Sequence, residues 1–218
     1  MAKPKTHAKK TSLKQTFHDY LHKNIKLKPY QKVGIAFLVF VIAGLVGWLY
    51  EFIFNFIEFG KCYMQGGNLL PWINIYAYGA LVIIPLTYKC RRYPWAVFLI
   101  SFFATGAIEL IGGWLVYTLG NGTRYWDYNN TPWNFGNIGG FVCLLSVTIF
   151  GLFSLLLMYV VLPFCQFLAR RLTRRTFLTL AITLFAIIML DEITNLVLKN
   201  CNLPTAIDFY RSLGWEYN

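Results

Sequence analysis

Five stretches of this chain are long and apolar enough to cross a lipid bilayer, and nothing else in the sequence constrains the fold as strongly. They cover residues 33–59, 72–88, 94–119, 138–168 and 176–198. A crossing helix needs about 20 predominantly apolar residues, with roughly 17–25 as the working range. Inside a bilayer each backbone N–H and C=O must be satisfied within the protein, so such stretches fold as helices. The expected architecture is an all-α, polytopic membrane protein. A basic segment over 1–32 precedes a domain of five transmembrane helices over 33–200, and a short tail follows over 201–218. The 13% content of charged residues agrees, since a soluble domain carries about 25%. The second stretch is barely long enough, and Pro71, Gly79 and Pro85 mark it as the irregular one. The fourth is longer than a crossing needs and carries Pro163 near its end, which predicts a kink.

The net charge of +11 reports topology. Sixteen of the 20 Lys and Arg fall in residues 1–32, 89–93 and 169–175; the other four are Lys61, Arg124, Lys199 and Arg211. The positive-inside rule then puts the N-terminus in the cytoplasm and the C-terminus outside, the alternation five crossings require. A nucleic-acid partner is excluded from this reading. No cleavable leader is expected, because the first 32 residues are basic and polar where a signal peptide has its apolar core. Leu13, Phe17, Tyr20, Leu21 and Ile25 recur at helical spacing among lysines, after a cap at Thr11 or Ser12. This predicts a basic amphipathic interfacial helix whose partners are the membrane lipids of the anionic inner leaflet.

Several chemistries lack their signatures. Gly120 to Gly122 do not form GxxxxGK[ST], so any ATP-derived energy comes from another chain. The five cysteines show no CxxC or Cys/His spacing, and neither a metal site nor a cofactor is expected. With no hydrolase motif either, catalysis is the least favoured reading. Cys62 and Cys201 share the expected outer side, so a disulfide between them stays open. The odd number of crossings without internal duplication points to a homodimer or to a separate partner subunit, including an ATPase.

Five of the nine acidic residues lie inside predicted crossings: Glu51, Glu58, Glu109, Asp191 and Glu192. No Lys, Arg or His shares those crossings. A charge at mid-bilayer costs about 2.5–3.5 kcal/mol, so such residues face a bundle interior or a wet cavity. Each lies past the middle of a crossing that runs from inside to outside. An acidic vestibule open to the outside is therefore expected, its countercharge supplied by water, a proton, a cation or an amine-bearing solute. Gly44, Gly47, Glu51, Asn55 and Glu58 form one helical stripe, and Thr105, Glu109, Gly112 and Gly113 form another. Asp191 and Asn195 are one turn apart, whereas neighbouring helical residues do not share a face, so Asp191 and Glu192 should point apart. The outer loop over 120–137 carries Trp126, Asp127 and Tyr128 and is long enough to fold over the vestibule as a lid or plug. The candidate ligand-binding residues are Glu51, Asn55, Glu109, Trp126, Asp127, Tyr128, Asp191 and Glu192. The alternative is a non-transporting scaffold or accessory subunit whose carboxyls hydrogen-bond at helix contacts.

Gly47-Trp48 with Glu51 forms Gly-Trp-x-x-Glu, followed by Gly66, Pro71, Tyr76 and Gly79. Glu109 and Gly113 form Glu-x-x-x-Gly, and Trp126-Asp127-Tyr128 is the most distinctive tripeptide. Asn137, Gly140, Cys143 and Leu144 form Asn-x-x-Gly-x-x-Cys-Leu, with Gly151 beyond. On these motifs residues 44–160 resemble the bacterial putative type IV ABC-transporter permease family of small multi-span proteins. The sequence departs from the family pattern at Tyr117, where a second Glu is expected, at Asn74, where Pro is usual, and at Phe150, where the family has Trp. The resemblance implies import or export across the cell membrane with a partner ATPase.

Overall fold

The structure, a computed structural model, describes residues 12–23, 25–131 and 133–217. The N-terminal lysines up to Lys10, the alternative cap Thr11 and the loop residue Pro132 lie outside them. The chain is mostly helical, in the order α1 (Leu13–His22), α2 (Pro29–Phe59), β1 (Tyr63–Met64), α3 (Asn74–Thr87), α4 (Pro94–Leu119), α5 (Leu144–Leu156), α6 (Leu162–Arg171), α7 (Arg174–Asn200), α8 (Ala206–Ser212) and β2 (Glu216–Tyr217).

Among the described residues, four helical runs are long and apolar enough to cross a membrane: Pro29–Phe59, Pro94–Leu119, Leu144–Arg171 and Arg174–Asn200. The third joins α5 to α6 through a π turn over Leu157–Val161, just before Pro163. Proline has no N–H for the carbonyl four residues back and its ring strikes that carbonyl, so the wider turn absorbs the clash at the expected kink. The stretch read as a second crossing yields only α3, 14 residues. That is about 21 Å of helix at 1.5 Å per residue, against a hydrocarbon core of about 30 Å. Trp72 and Ile73 stay out of the helix because Ile73 N–H donates to the Gly44 carbonyl of α2 at 3.2 Å. The fourth stretch starts its helix at Leu144, six residues later than expected. Gly139 and Gly140 hold φ of 61° and 81°, and Ile138 bridges Val142, closing a turn there.

Two compact units divide the chain, residues 1–81 with 161–218 and residues 82–160. In the first, α2 packs along α7. Phe37 stacks on Phe185 at 4.4 Å between ring centroids, and Gly34 leaves room for the fully buried Phe177 ring. Phe40, Val41, Trp72, Ala77 and Ile188 form the core there. Gln31 Nε2 donates to the Ala169 carbonyl at 2.7 Å and ties α2 to the last turn of α6. Helix α1 is capped by Ser12, whose hydroxyl accepts from Gln15 N–H. It docks on α6 with Thr16, Asp19 and Tyr20 buried, while Leu13, Phe17 and Leu21 remain at least partly exposed. The docking face thus carries an acid and takes Tyr20 out of the stripe expected to meet lipid, leaving Leu13 exposed and Phe17, Leu21 and Ile25 half-buried. In the second unit α4 and α5 pack through glycines, with Gly151 against the Phe98 ring and Gly106 against Val147.

Asp19 accepts from Lys23 at 2.9 Å and from Arg170 at 3.2 Å. These bonds, that of Lys23 foremost, hold its carboxyl down from 3.8 to about 2. A depressed acid contributes stability above its unfolded value and loses it as pH falls through the folded one. Hydrogen-exchange protection of the α1 amides should therefore disappear between pH 3.8 and about 2. In Asp19→Asn it should fall about tenfold at neutral pH, as expected for a lost charge-assisted hydrogen bond.

Candidate functional site

The first unit builds its polar cluster around a segment that turns back on α2. Helix α2 ends at Gly60, whose φ of 68° suits a residue without Cβ. The chain then returns beside the same helix. β1 pairs in parallel with β2 of the C-terminal tail, Tyr63 opposite Glu216 and Met64 opposite Tyr217. Lys61 pairs with Glu216, which holds the Glu216 carboxyl low and the lysine high. Gly66 and Gly67 adopt φ of 79° and 75°. By Ile73 the segment has reached Gly44, the sixteenth of the 31 residues of α2. The chain has thus travelled from the end of α2 back to its middle without helical hydrogen bonds of its own.

Two acids of α7 serve this coil. Asp191 Oδ1 accepts from Leu69 N–H at 3.2 Å and its Oδ2 from Leu70 N–H at 2.8 Å, with Asn195 Nδ2 at 2.9 Å from Oδ1. Glu192 accepts from Asn68 Nδ2 at 2.7 Å and from Asn74 Nδ2 at 3.3 Å. Asp191 and Glu192 lie on adjoining faces of α7, as neighbouring helical residues do, and the coil wraps across both faces so that one segment serves the two acids. Asn195 Oδ1 accepts from Ala206 N–H, and Tyr210 donates its hydroxyl to the Leu69 carbonyl at 2.7 Å. The tail thereby straps the coil from above.

Glu51 and Asn55 lie one turn apart on α2. Asn55 Nδ2 bonds back to the Glu51 carbonyl at 2.8 Å, and the Glu51 side chain, half-buried, is hydrogen-bonded by the Tyr76 hydroxyl. Gly44 and Gly47 on the same stripe give their space to the rings of Trp72 and Tyr76. The stripe of small residues therefore receives two side chains of the returning chain.

The second unit has a matching arrangement. Glu109, 8% exposed, accepts from the Tyr128 hydroxyl at 2.9 Å and from Ser146 Oγ at 2.8 Å. One turn along α4, Gly113 makes room for Trp126 and Phe141, and Trp126 Nε1 donates to the Phe141 carbonyl at 2.8 Å. Burial and the neighbouring carboxylate both push the Tyr128 phenol upward, so it stays a donor. Asp127 is committed to the loop itself, accepting from Asn129 N–H at 2.9 Å and Nδ2 at 2.7 Å, with Arg124 at 3.7 Å. Asn137 Oδ1 accepts from Gly140 N–H, Gly140 accepts from Tyr128 N–H, and Arg124 donates to the Gly139 carbonyl. These bonds lock the described residues of the 120–143 loop to one another, with Tyr128 reaching Glu109. A shallow apolar groove of about 320 Å³ runs beside it, lined by residues that include Phe102, Phe103, Leu110 and Val147.

Glu51, Asn55, Asp191 and Glu192 belong to the first unit, and Glu109, Trp126, Asp127 and Tyr128 to the second. Sequence reasoning missed Ser146, Tyr76, Asn68, Asn74 and the C-terminal strap. Ser146 had a legible signal, as the third residue after the Cys143 cap of α5. Asn74, where the family pattern has Pro, supplies one of the bonds to Glu192.

Long apolar helices enclosing hydrogen-bonded acids define a helical membrane protein. The model of the family described as putative ABC-transporter type IV matches residues 38–196, so the chain belongs to that family and is a membrane protein related to transport. No curated protein and no solved structure matches the chain.

Removing the hydroxyl in Tyr128→Phe should cost about 1–3 kcal/mol in unfolding from mixed micelles, the range for a buried acceptor losing its donor. Gly140→Ala should cost at least as much, because its φ of 81° disfavours a Cβ and Arg124, Asp127 and Asn129 crowd the site.

Proposed function

We propose that the chain is the membrane-spanning permease subunit of a transport system, whose intramembrane acids take up a cation, a proton or an amine-bearing solute from the outer side. The observation that carries this reading is the broken passage beside α2. A coil descends to the midpoint of that helix, and the short helix α3 begins there. Discontinuous helices at mid-membrane are where secondary transporters bind their substrates, because unwound backbone is tolerated only where protein or a cavity receives it.

Coil and α3 together make one full crossing, which gives five crossings with the N-terminus in the cytoplasm and the C-terminus outside. The charge distribution supports that count. With α3 crossing, sixteen basic residues lie on one side and four on the other; without it the split falls to twelve and eight. Glu51 with Asn55, and Glu109 with Tyr128, are the ligand-facing groups of this reading. Asp191 and Glu192 line the coil, and Trp126, Asp127 and Tyr128 control access to Glu109. The partners are an ATPase subunit or a second copy of the chain, in the cell membrane. The accessory-subunit reading draws on the saturation of Glu109 by Tyr128 and Ser146.

Two measurements test the proposal. An impermeant maleimide added to intact cells should label Cys62 and Cys201 and spare Cys90; the opposite pattern inverts the topology. Sodium and propylammonium should raise the melting temperature of the purified protein, and Glu51→Gln and Glu109→Gln should each reduce the response. A response unchanged in both substitutions removes these acids from the site and leaves the accessory reading.

A further inference from the structure

All three histidines of the chain lie in its first 22 residues, and the two that the structure describes, His18 and His22, stand on α1. Helical residues four apart lie one above the other on the same face. The two rings accordingly sit 4.8 Å apart between centroids, and both residues are exposed. Two imidazoles that share one zinc-like ion hold it through nitrogens at about 2.0–2.1 Å. With a tetrahedral or square angle between them, their centroids are about 4.5–5.3 Å apart. The observed spacing falls in that range, so the pair reaches a common ion by rotation of the side chains on an unchanged helix.

Two further features of α1 favour a metal there. Asp19 Oδ1 stands 4.0 Å from His18 Nδ1, the side on which a carboxylate orients a ligating imidazole and leaves Nε2 for the metal. His22 is the last residue of the helix, at the negative end of its dipole, where a cation is stabilised. The helix is also anchored, because Asp19 accepts from Arg170 of α6 at 3.2 Å.

The surroundings select among cations. Lys14 stands one turn before His18 and Lys23 directly follows His22, and both repel an ion held by charge alone. Imidazole nitrogen suits zinc, nickel and copper(II), whereas magnesium and calcium take oxygen ligands. Among the described residues no third His, Cys, Asp or Glu completes a metal-binding group, so water fills the remaining positions and the ion is exchangeable.

We propose that His18 and His22 form a binding site for a divalent transition-metal ion of the zinc class, which clamps the last turn of α1 and strengthens its docking on α6. The site uses neither Glu51 nor Glu109 and does not rest on the transport reading.

Titration calorimetry on the full chain in lipid nanodiscs, without a histidine tag, should show binding of zinc and nickel and none of magnesium. His18→Gln and His22→Gln should each weaken zinc binding by about tenfold or more, since loss of an outer-shell partner alone costs about that much. Both side chains are exposed, so both variants fold. Zinc at about a hundred times its Kd should raise the hydrogen-exchange protection of the α1 amides at least tenfold, because an ion held only by the formed turn stabilises it by mass action. His18→Gln should abolish that rise. The proposal is overturned if zinc does not bind, if either variant binds it like the wild type, or if bound zinc leaves the protection of α1 unchanged.

Discussion

A peptide chain that leaves the helix must give its N–H and C=O groups other partners, and in the coil between α2 and α3 Asp191 is a principal acceptor. It receives two consecutive backbone donors, Leu69 and Leu70, where the returning coil has no strand or helix of its own. Around that contact the remaining groups fall into place. Ile73 donates to the Gly44 carbonyl, Tyr210 donates to the Leu69 carbonyl, and β2 supplies a strand edge to β1. That no lysine or arginine among the described residues pairs with Asp191 or Glu192 then has a physical explanation. Oriented N–H dipoles favour a carboxylate as an opposite charge would, and they do so without placing a second ion in a low dielectric. The C-terminal tail belongs to the same arrangement, because α8 starts on Asn195, which itself bonds Asp191.

The two units solve one packing problem with the same parts. On α2, Gly47 admits the Tyr76 ring and Glu51, one turn on, takes its hydroxyl. On α4, Gly113 admits Trp126 and Glu109, one turn back, takes the hydroxyl of Tyr128. In each, a glycine lets a non-helical segment approach the helix axis and a carboxyl anchors the tyrosine that follows. The order of Gly and Glu is reversed between the two helices, which is why no repeat is visible in the sequence. The residues that carry the family resemblance are largely these: Gly47, Glu51, Tyr76, Glu109, Gly113 and the Trp126-Asp127-Tyr128 run. Asn137 and Gly140 hold that run closed, Asn137 by accepting from Gly140 and Gly140 by leaving the space that Arg124, Asp127 and Asn129 fill.

Long apolar runs are dictated by composition, so α4 runs over the residues expected of it and α2 and α7 over nearly the same ones. An irregularity before Pro163 was legible for the same kind of local reason, a missing N–H, and it takes the form of the π turn over Leu157–Val161. What failed was anything set by a distant partner. The stretch at 72–88 has the hydropathy of a crossing, and only the Ile73 bond to Gly44, made across 29 residues, shows that its first part is not helical. Pro71, Gly79 and Pro85 marked the irregularity without revealing its form. The acids were legible as unusual, but their acceptor roles depend on Asn68, Asn74 and Tyr210, polar residues that in one dimension look like ordinary loop composition. The early start of the fourth stretch failed because Gly139 and Gly140, apolar by count, are turn residues by conformation.

Glu109 differs from Asp191 in the donors it meets, and the difference bears on chemistry. Asp191 is held by N–H groups, which only donate. Glu109 is held by two hydroxyls, Tyr128 and Ser146, and a hydroxyl can donate or accept. Ser146 has one proton and two acceptors within reach, Glu109 Oε2 at 2.8 Å and the Cys143 carbonyl at 2.9 Å, while it accepts from Cys143 N–H at 3.3 Å. An ionised Glu109 claims that proton and leaves the Cys143 carbonyl to Val147 N–H alone. A neutral Glu109 donates its own proton to Ser146, which then turns to the Cys143 carbonyl, and every group remains satisfied. The charge of the carboxyl and the first turn of α5 are thus joined through the rotation of one hydroxyl. A carboxylate surrounded by backbone N–H groups has no such linkage, which separates a group built to hold the chain from one able to exchange a proton without breaking its setting.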